Sequence, residues 1–145
     1  ANAMEKAAKL MADMRENAPK SIGGVDVCQV LDYQQRVQTD LITGEKLPIP
    51  LPRSNVMEFR LGLKGSVIVR PSGTEPKVKF YYTAVGNNEN EAKLLLEAMK
   101  KQKPVMAKLG QIQAELFVPK DQRNDEIKAP CVDAFQIACH SDFTS

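Results

Sequence analysis

The chain has 145 residues, 43% of them hydrophobic and 26% charged, which fits one globular domain with a modest core. Its 20 basic and 18 acidic side chains leave a net charge of +2, so no global field selects nucleic acid or an anionic membrane as partner. It has no run of about 18 apolar residues and no charged-then-apolar signal pattern, and its three cysteines, Cys28, Cys131 and Cys139, are irregularly spaced; a soluble chain of the reducing cytoplasm, without a disulfide framework or membrane partner, is expected.

The opening "ANAM" reads as a cloning scar before Met4, so residues 1–3 are set aside. From Met4 to Asn17, Ala7, Leu10, Met11 and Met14 recur at the spacing of one helix face until Pro19, predicting an amphipathic helix that buries its Met-rich stripe. In "VDVCQVLDYQ", Val25 and Val27 alternate imperfectly with Asp26 and Cys28, predicting a strand from about Val25 to Tyr33. "TDLITGEKLPIPLPRS" carries Pro48, Pro50, Pro52 and the Thr43-Gly44 pair, and is expected to be an exposed excursion or short hairpin.

Three β-rich runs follow, "NVMEFRLG", "SVIVRP" and "KVKFYYTAV", with separators "LKG" and "SGTEP" short enough for an antiparallel meander. Asn88 then caps a helix, with Glu91 three positions on, and Ala92, Leu95, Leu96 and Met99 line one face until Pro104. Strands closed by helices on one face predict an α+β fold, a two-layer sandwich with a mainly antiparallel four-stranded sheet. Beyond Gly110 no sustained period appears, and residues 111–145 are read as a tail holding at most one strand or helical turn.

The turn between the last two strands carries the chemistry. Alternation in "KVKFYY" puts Val78, Phe80 and Tyr82 on one face and Lys77, Lys79 and Tyr81 on the other. Arg70 ends the preceding strand, so the hairpin brings Arg70, Lys77 and Lys79 toward one mouth. Ser72 and Thr74 offer hydroxyls, and Gly73 can let main-chain N–H groups approach an anion closely. Arginine binds two phosphate oxygens with its planar fork and lysine adds point charge, while Pro71 and Pro76 reduce the ordering entropy lost on binding. These residues alone leave two readings open, an anion cradle and a solvated turn. A Walker-type loop is excluded, because no "GxxxxGK[ST]" precedes a helix.

"VIVRPSGTEPKVKFYY" resembles the phosphate-binding loop of the α-D-phosphohexomutases, the superfamily of phosphoglucomutase and phosphomannomutase. "MRENAPKSIGGVDV" resembles the passage into that family's carboxy-terminal domain and "LPIPLPRSNVMEFRL" the strand approaching its loop, so the likeness runs from roughly Met4 to Leu109. The resemblance implies that Arg70, Ser72, Gly73 and Thr74 hold the non-reacting phosphate of a hexose phosphate, with Lys79 and Lys77 as further basic residues. It implies a phosphoserine elsewhere that transfers a phosphoryl group through a bisphosphate intermediate, and a full-length enzyme that uses magnesium. The "TASHNP"-like serine loop, "DGDxDR"-like magnesium loop and "GEESG"-like sugar loop do not occur in this chain.

The expectation is therefore a carboxy-terminal domain over residues 20–110, a helix over 4–19 from the junction with the preceding domain, and a tail. Its partners would be glucose or mannose 1- or 6-phosphate and the missing domains, with no cofactor of its own and no turnover alone. The alternative is a free-standing module that binds anions or phospho-ligands without catalysis. Two other stretches are read blandly. Cys139-His140-Ser141-Asp142 holds the letters of a nucleophilic site without its spatial roles, and Cys131, Cys139 and His140 lack a zinc-knuckle pairing. "MKKQK" is a solvated helix end whose lysines suit the carboxy-terminal dipole.

Overall fold

The computed structural model describes residues 2–101, 112–117 and 135–144. Helix α1 (Asn2–Glu16) starts two residues before Met4 and buries the four residues of the apolar stripe, Ala7, Leu10, Met11 and Met14. Its last turn is tied down by Arg15, whose Nε donates to Asp32 Oδ2 at 2.9 Å and whose Nη2 donates to Asn55 Oδ1 at 2.9 Å. Strands β1 (Ser21–Ile22) and β2 (Val25–Asp26) form a two-stranded hairpin of their own. Both turn residues, Gly23 at φ 62° and Gly24 at φ 82°, take the left-handed angles that a two-residue hairpin of this hand requires. A side chain at Gly23 would also collide with Met99 of the second helix.

Among the described residues, the main sheet has eight strands in the order β5-β4-β3-β6-β7-β8-β10-β9. In chain order these are β3 (Gln29–Asp32), β4 (Val37–Asp40), β5 (Lys46–Pro48), β6 (Met57–Arg60), β7 (Gly65–Pro71), β8 (Lys77–Gly86), β9 (Ile112–Phe117) and β10 (Phe135–Thr144). Every pairing in it is antiparallel. Between β8 and β9 the chain forms helix α2 (Glu89–Lys101), started by Asn88, whose Oδ1 accepts the Glu91 N–H at 2.9 Å, while Glu91 Oε2 accepts the Asn87 N–H at 2.9 Å. Pro104, expected to end this helix, lies outside the described residues.

The α+β class and the meander β6-β7-β8 stand, and the sheet is corrected from four strands to eight. Two of the added strands form the edge hairpin β4-β5, whose first strand begins at Val37, ahead of the proline-rich excursion, and whose turn and second strand lie within it. Its turn is made by Asp40, whose Oδ1 accepts the N–H groups of Ile42 at 2.8 Å and Thr43 at 3.0 Å. The other two come from the supposed tail. β10 lies between β8 and β9, and it seals Ile137 and Cys139 into the core. The expected strand over 25–33 is divided as well. Val27 and Val30 are both buried in the core, and residues three apart cannot share one face of a continuous strand, so β2 and β3 are separate.

One core cluster joins α1 and α2 to the sheet. Leu10, Met11 and Met14 from the first helix and Ala92, Leu96 and Met99 from the second meet Met57, Phe59, Val67, Val69, Val78, Phe80, Tyr82, Ile137 and Cys139. Leu10, Phe59, Val69, Val78 and Ile137 have no exposed surface. β8 alternates half-buried and buried residues from Lys77 to Ala84, which leaves Lys77, Lys79 and Tyr81 on the face away from this cluster.

Candidate anion-binding site

The site grows from the register of two strands. β7 and β8 pair Ile68 with Tyr81, Val69 with Phe80, Arg70 with Lys79 and Pro71 with Val78. Val69 and Phe80 are buried in the core, so their neighbours Arg70 and Lys79 stand side by side on the opposite face. Two like charges at directly opposed strand positions repel, and an anion between them removes that repulsion.

The connecting turn is built around Ser72, which is only 8% exposed among otherwise exposed neighbours. Its N–H donates to the Lys77 carbonyl at 2.8 Å and closes the turn. Its Oγ accepts the N–H groups of Glu75 at 3.1 Å and Thr74 at 3.4 Å. The serine lone pairs thus hold two backbone donors in one direction, and the O–H proton can still be given to a ligand. Thr74 is exposed at the tip beside Gly73.

Gly73 does not take the backbone angles reserved for glycine. Its φ is not in the left-handed region, and a Cβ placed on it meets no atom within 4 Å. Neither backbone angle nor packing requires glycine here, and the space over the turn is open. Lys77 lies 3.7 Å from Glu75 Oε2, a loose pair with an exposed acid that an incoming dianion can replace.

Arg70 is oriented by Tyr81, which strand alternation places on the same face as Lys77 and Lys79. Its Nη2 donates to the Tyr81 hydroxyl at 3.1 Å, and its Cζ lies 5.6 Å from the centre of the Tyr81 ring. The far side of the same strand pair continues into β10. There the Tyr81 and His140 rings stack at 4.9 Å with 17° between their planes. Among the described residues, one cavity of about 390 Å³ lies beside Val25, Gly86 and Leu95 and another of about 510 Å³ beside Ala18, Val27 and Ile42. Neither includes a residue of the 70–79 hairpin.

Residues 5–102 match the family described as "Phosphoglucomutase/phosphomannomutase, C-terminal domain". The chain belongs to this family. It is similar to a phosphoglucomutase of Staphylococcus saprophyticus, 35% identical over 95 residues, which cover 66% of this chain and 17% of the relative. It is also similar to a probable phosphomannomutase of Haemophilus influenzae, 39% identical over 88 residues, 61% of this chain and 15% of the relative. A phosphoglucomutase of Staphylococcus haemolyticus is 40% identical over 72 residues, 50% of this chain and 13% of the relative. The chain thus spans only 13–17% of the length of these curated relatives. No solved structure matches it.

All six candidate residues, Arg70, Ser72, Gly73, Thr74, Lys77 and Lys79, fall inside the span that matches this domain family, whereas β9 and β10 fall beyond it. Neighbouring residues on β10 face opposite ways. Cys139 is buried in the core, where burial pushes its thiol pKa up, and His140 stacks on the cradle side. That separation rules out a Cys139–His140 catalytic pair, since the thiol and the imidazole are on opposite sides of the sheet. Cys131 lies outside the described residues, and among the described residues no three His, Cys, Asp or Glu side chains come together to hold a metal.

Proposed function

We propose that the β7–β8 hairpin is the phosphate-holding part of a hexose-phosphate mutase. Arg70, Lys79 and Lys77 supply charge to the non-reacting phosphate of a glucose or mannose phosphate. Ser72 and Thr74 supply hydroxyl donors, and the bare Gly73 lets the phosphate come close to the backbone. The observation that carries this reading is the register that sets Arg70 against Lys79 on the face away from the core, beside a turn whose N–H groups converge on Ser72 Oγ. Each charge-assisted contact contributes about 1.5–3 kcal/mol before ordering costs are subtracted. The printed names of the relatives, phosphoglucomutase and probable phosphomannomutase, support the substrate class.

The cradle positions a phosphate and supplies no nucleophile. Phosphoryl transfer needs an attacking group and charge stabilisation at the reacting phosphorus, and in this reading both belong to domains that precede this one in the full-length, cytoplasmic enzyme. The chain alone would bind hexose phosphate and leave it unchanged.

The test is a titration of the isotopically labelled chain with glucose 1-phosphate, followed by amide chemical shifts. Shifts confined to residues 70–79 are expected, together with their loss in Arg70→Ala and no formation of glucose 6-phosphate. Equal binding by the Arg70→Ala chain would sink the assignment.

A further inference from the structure

The phosphate cradle has a neighbour that the family match does not contain. β10 lies beyond residue 102, where the match ends, yet its register sets His140 opposite Tyr81. The rings stack at 4.9 Å and 17°, and the Tyr81 hydroxyl accepts the Arg70 Nη2 proton at 3.1 Å. Three adjacent strands therefore carry a continuous line of contacts, His140 on β10, Tyr81 on β8 and Arg70 on β7, across the face away from the core.

We propose that His140 is a positioning residue of the phosphate site, and the proposal rests on the reading of Arg70 as a phosphate ligand. A tyrosine on a sheet face has two soft torsions, and one side of its ring is held by the guanidinium 5.6 Å away. The imidazole gives that ring a second, parallel neighbour, so the phenol is fixed and its hydroxyl stays where Arg70 can donate to it. An arginine already ordered by its neighbours loses less rotamer freedom when a phosphate arrives. The imidazole touches neither phosphate nor sugar in this role. What it contributes is planarity, so a phenyl ring replaces it and an aliphatic side chain does not.

The experiment titrates the full chain with inorganic phosphate and with glucose 1-phosphate, and compares wild type with Arg70→Ala, His140→Ala, His140→Phe and His140→Leu. His140→Ala is expected to weaken binding of both probes about three- to tenfold, the size of coupling transmitted through one packed neighbour. The Arg70 Nε–H resonance should broaden in that variant. His140→Phe should restore both affinity, to within about twofold, and the sharp resonance. Unchanged affinity in His140→Ala overturns the proposal, as does failure of the phenylalanine to restore it. If His140→Ala does not fold, the comparison of phenylalanine with leucine decides, and equal binding by those two overturns it. The outcomes separate the two readings. Absent binding by wild type, or binding by Arg70→Ala equal to wild type, removes the phosphate site itself, whereas loss in Arg70→Ala with retention in His140→Ala removes only the role of His140.

Discussion

Arg70 and Lys79, the charge of the proposed phosphate site, stand where they cost the fold. Placed directly opposite each other, they repel, and strand pairs of like charge are destabilising by roughly 0.2–1 kcal/mol. Lys79→Thr, which also improves strand propensity, is expected to raise the thermal midpoint slightly while weakening glucose 1-phosphate binding severalfold; a calorimetric scan and a titration of the same sample check both signs. Gly73 separates structure from function in another way. A Cβ there meets nothing within 4 Å, so Gly73→Ala should leave stability within about 0.5 kcal/mol of wild type. Any drop in phosphosugar affinity then reports contact with the ligand, and an unchanged affinity would show that the phosphate does not approach this backbone. The residue types of the cradle were legible in "RPSGTEPKVK". The use of Ser72 Oγ as an acceptor for two backbone N–H groups was not, because it depends on the closed turn between Ser72 and Lys77.

At the scale of elements, helix faces and hairpins were readable and the last strand was not. Leu10, Met11 and Met14, and Ala92, Leu96 and Met99, are spaced so that helical geometry alone brings them to one side. β6, β7 and β8 follow one another through short connections, so their pairing is local. β10 pairs with β8, from which α2 and β9 separate it in sequence. Its alternation, Ile137 and Cys139 inward with His140 outward, was present in "FQIACH", but cysteine and alanine are ambiguous as inward residues, and the choice of β8 as neighbour is non-local. Ile137 is wholly buried against the helices and the sheet, so Ile137→Ala is expected to destabilise the chain by about 2–5 kcal/mol, measured by urea unfolding. A change near zero would show that β10 does not form part of the folded core.

At the scale of the whole molecule, the sheet presents two unlike faces. One is buried against α1 and α2; the other carries Glu58, Arg60, Arg70, Lys79, Tyr81 and His140. Tyr33 belongs to this polar system, donating its hydroxyl to Glu58 Oε1 at 2.7 Å while Arg60 Nε donates to Glu58 Oε2 at 2.8 Å. Burial first, and then the hydrogen bond to the Glu58 carboxylate, push the Tyr33 pKa from 10.0 up to about 12. A pKa raised by folding means that the native state holds its proton longer, so this contribution is complete below pH 10 and is lost as pH rises through about 12. Unfolding free energy should fall across that window, and Tyr33→Phe should flatten the fall; an identical slope in the variant would assign it to other groups.

The sequence by itself determined the helices, the β6-β7-β8 meander and the composition of the β7–β8 hairpin, because each rests on residues close together in the chain and on a fixed local period. Only the tertiary structure decided that the sheet has eight strands and that Ile137 and Cys139 complete its core. It also decided that His140 stands over Tyr81 beside Arg70. Those relations join segments far apart in sequence, and what selects them is the burial of one strand's apolar face against a core that exists only once the rest has folded.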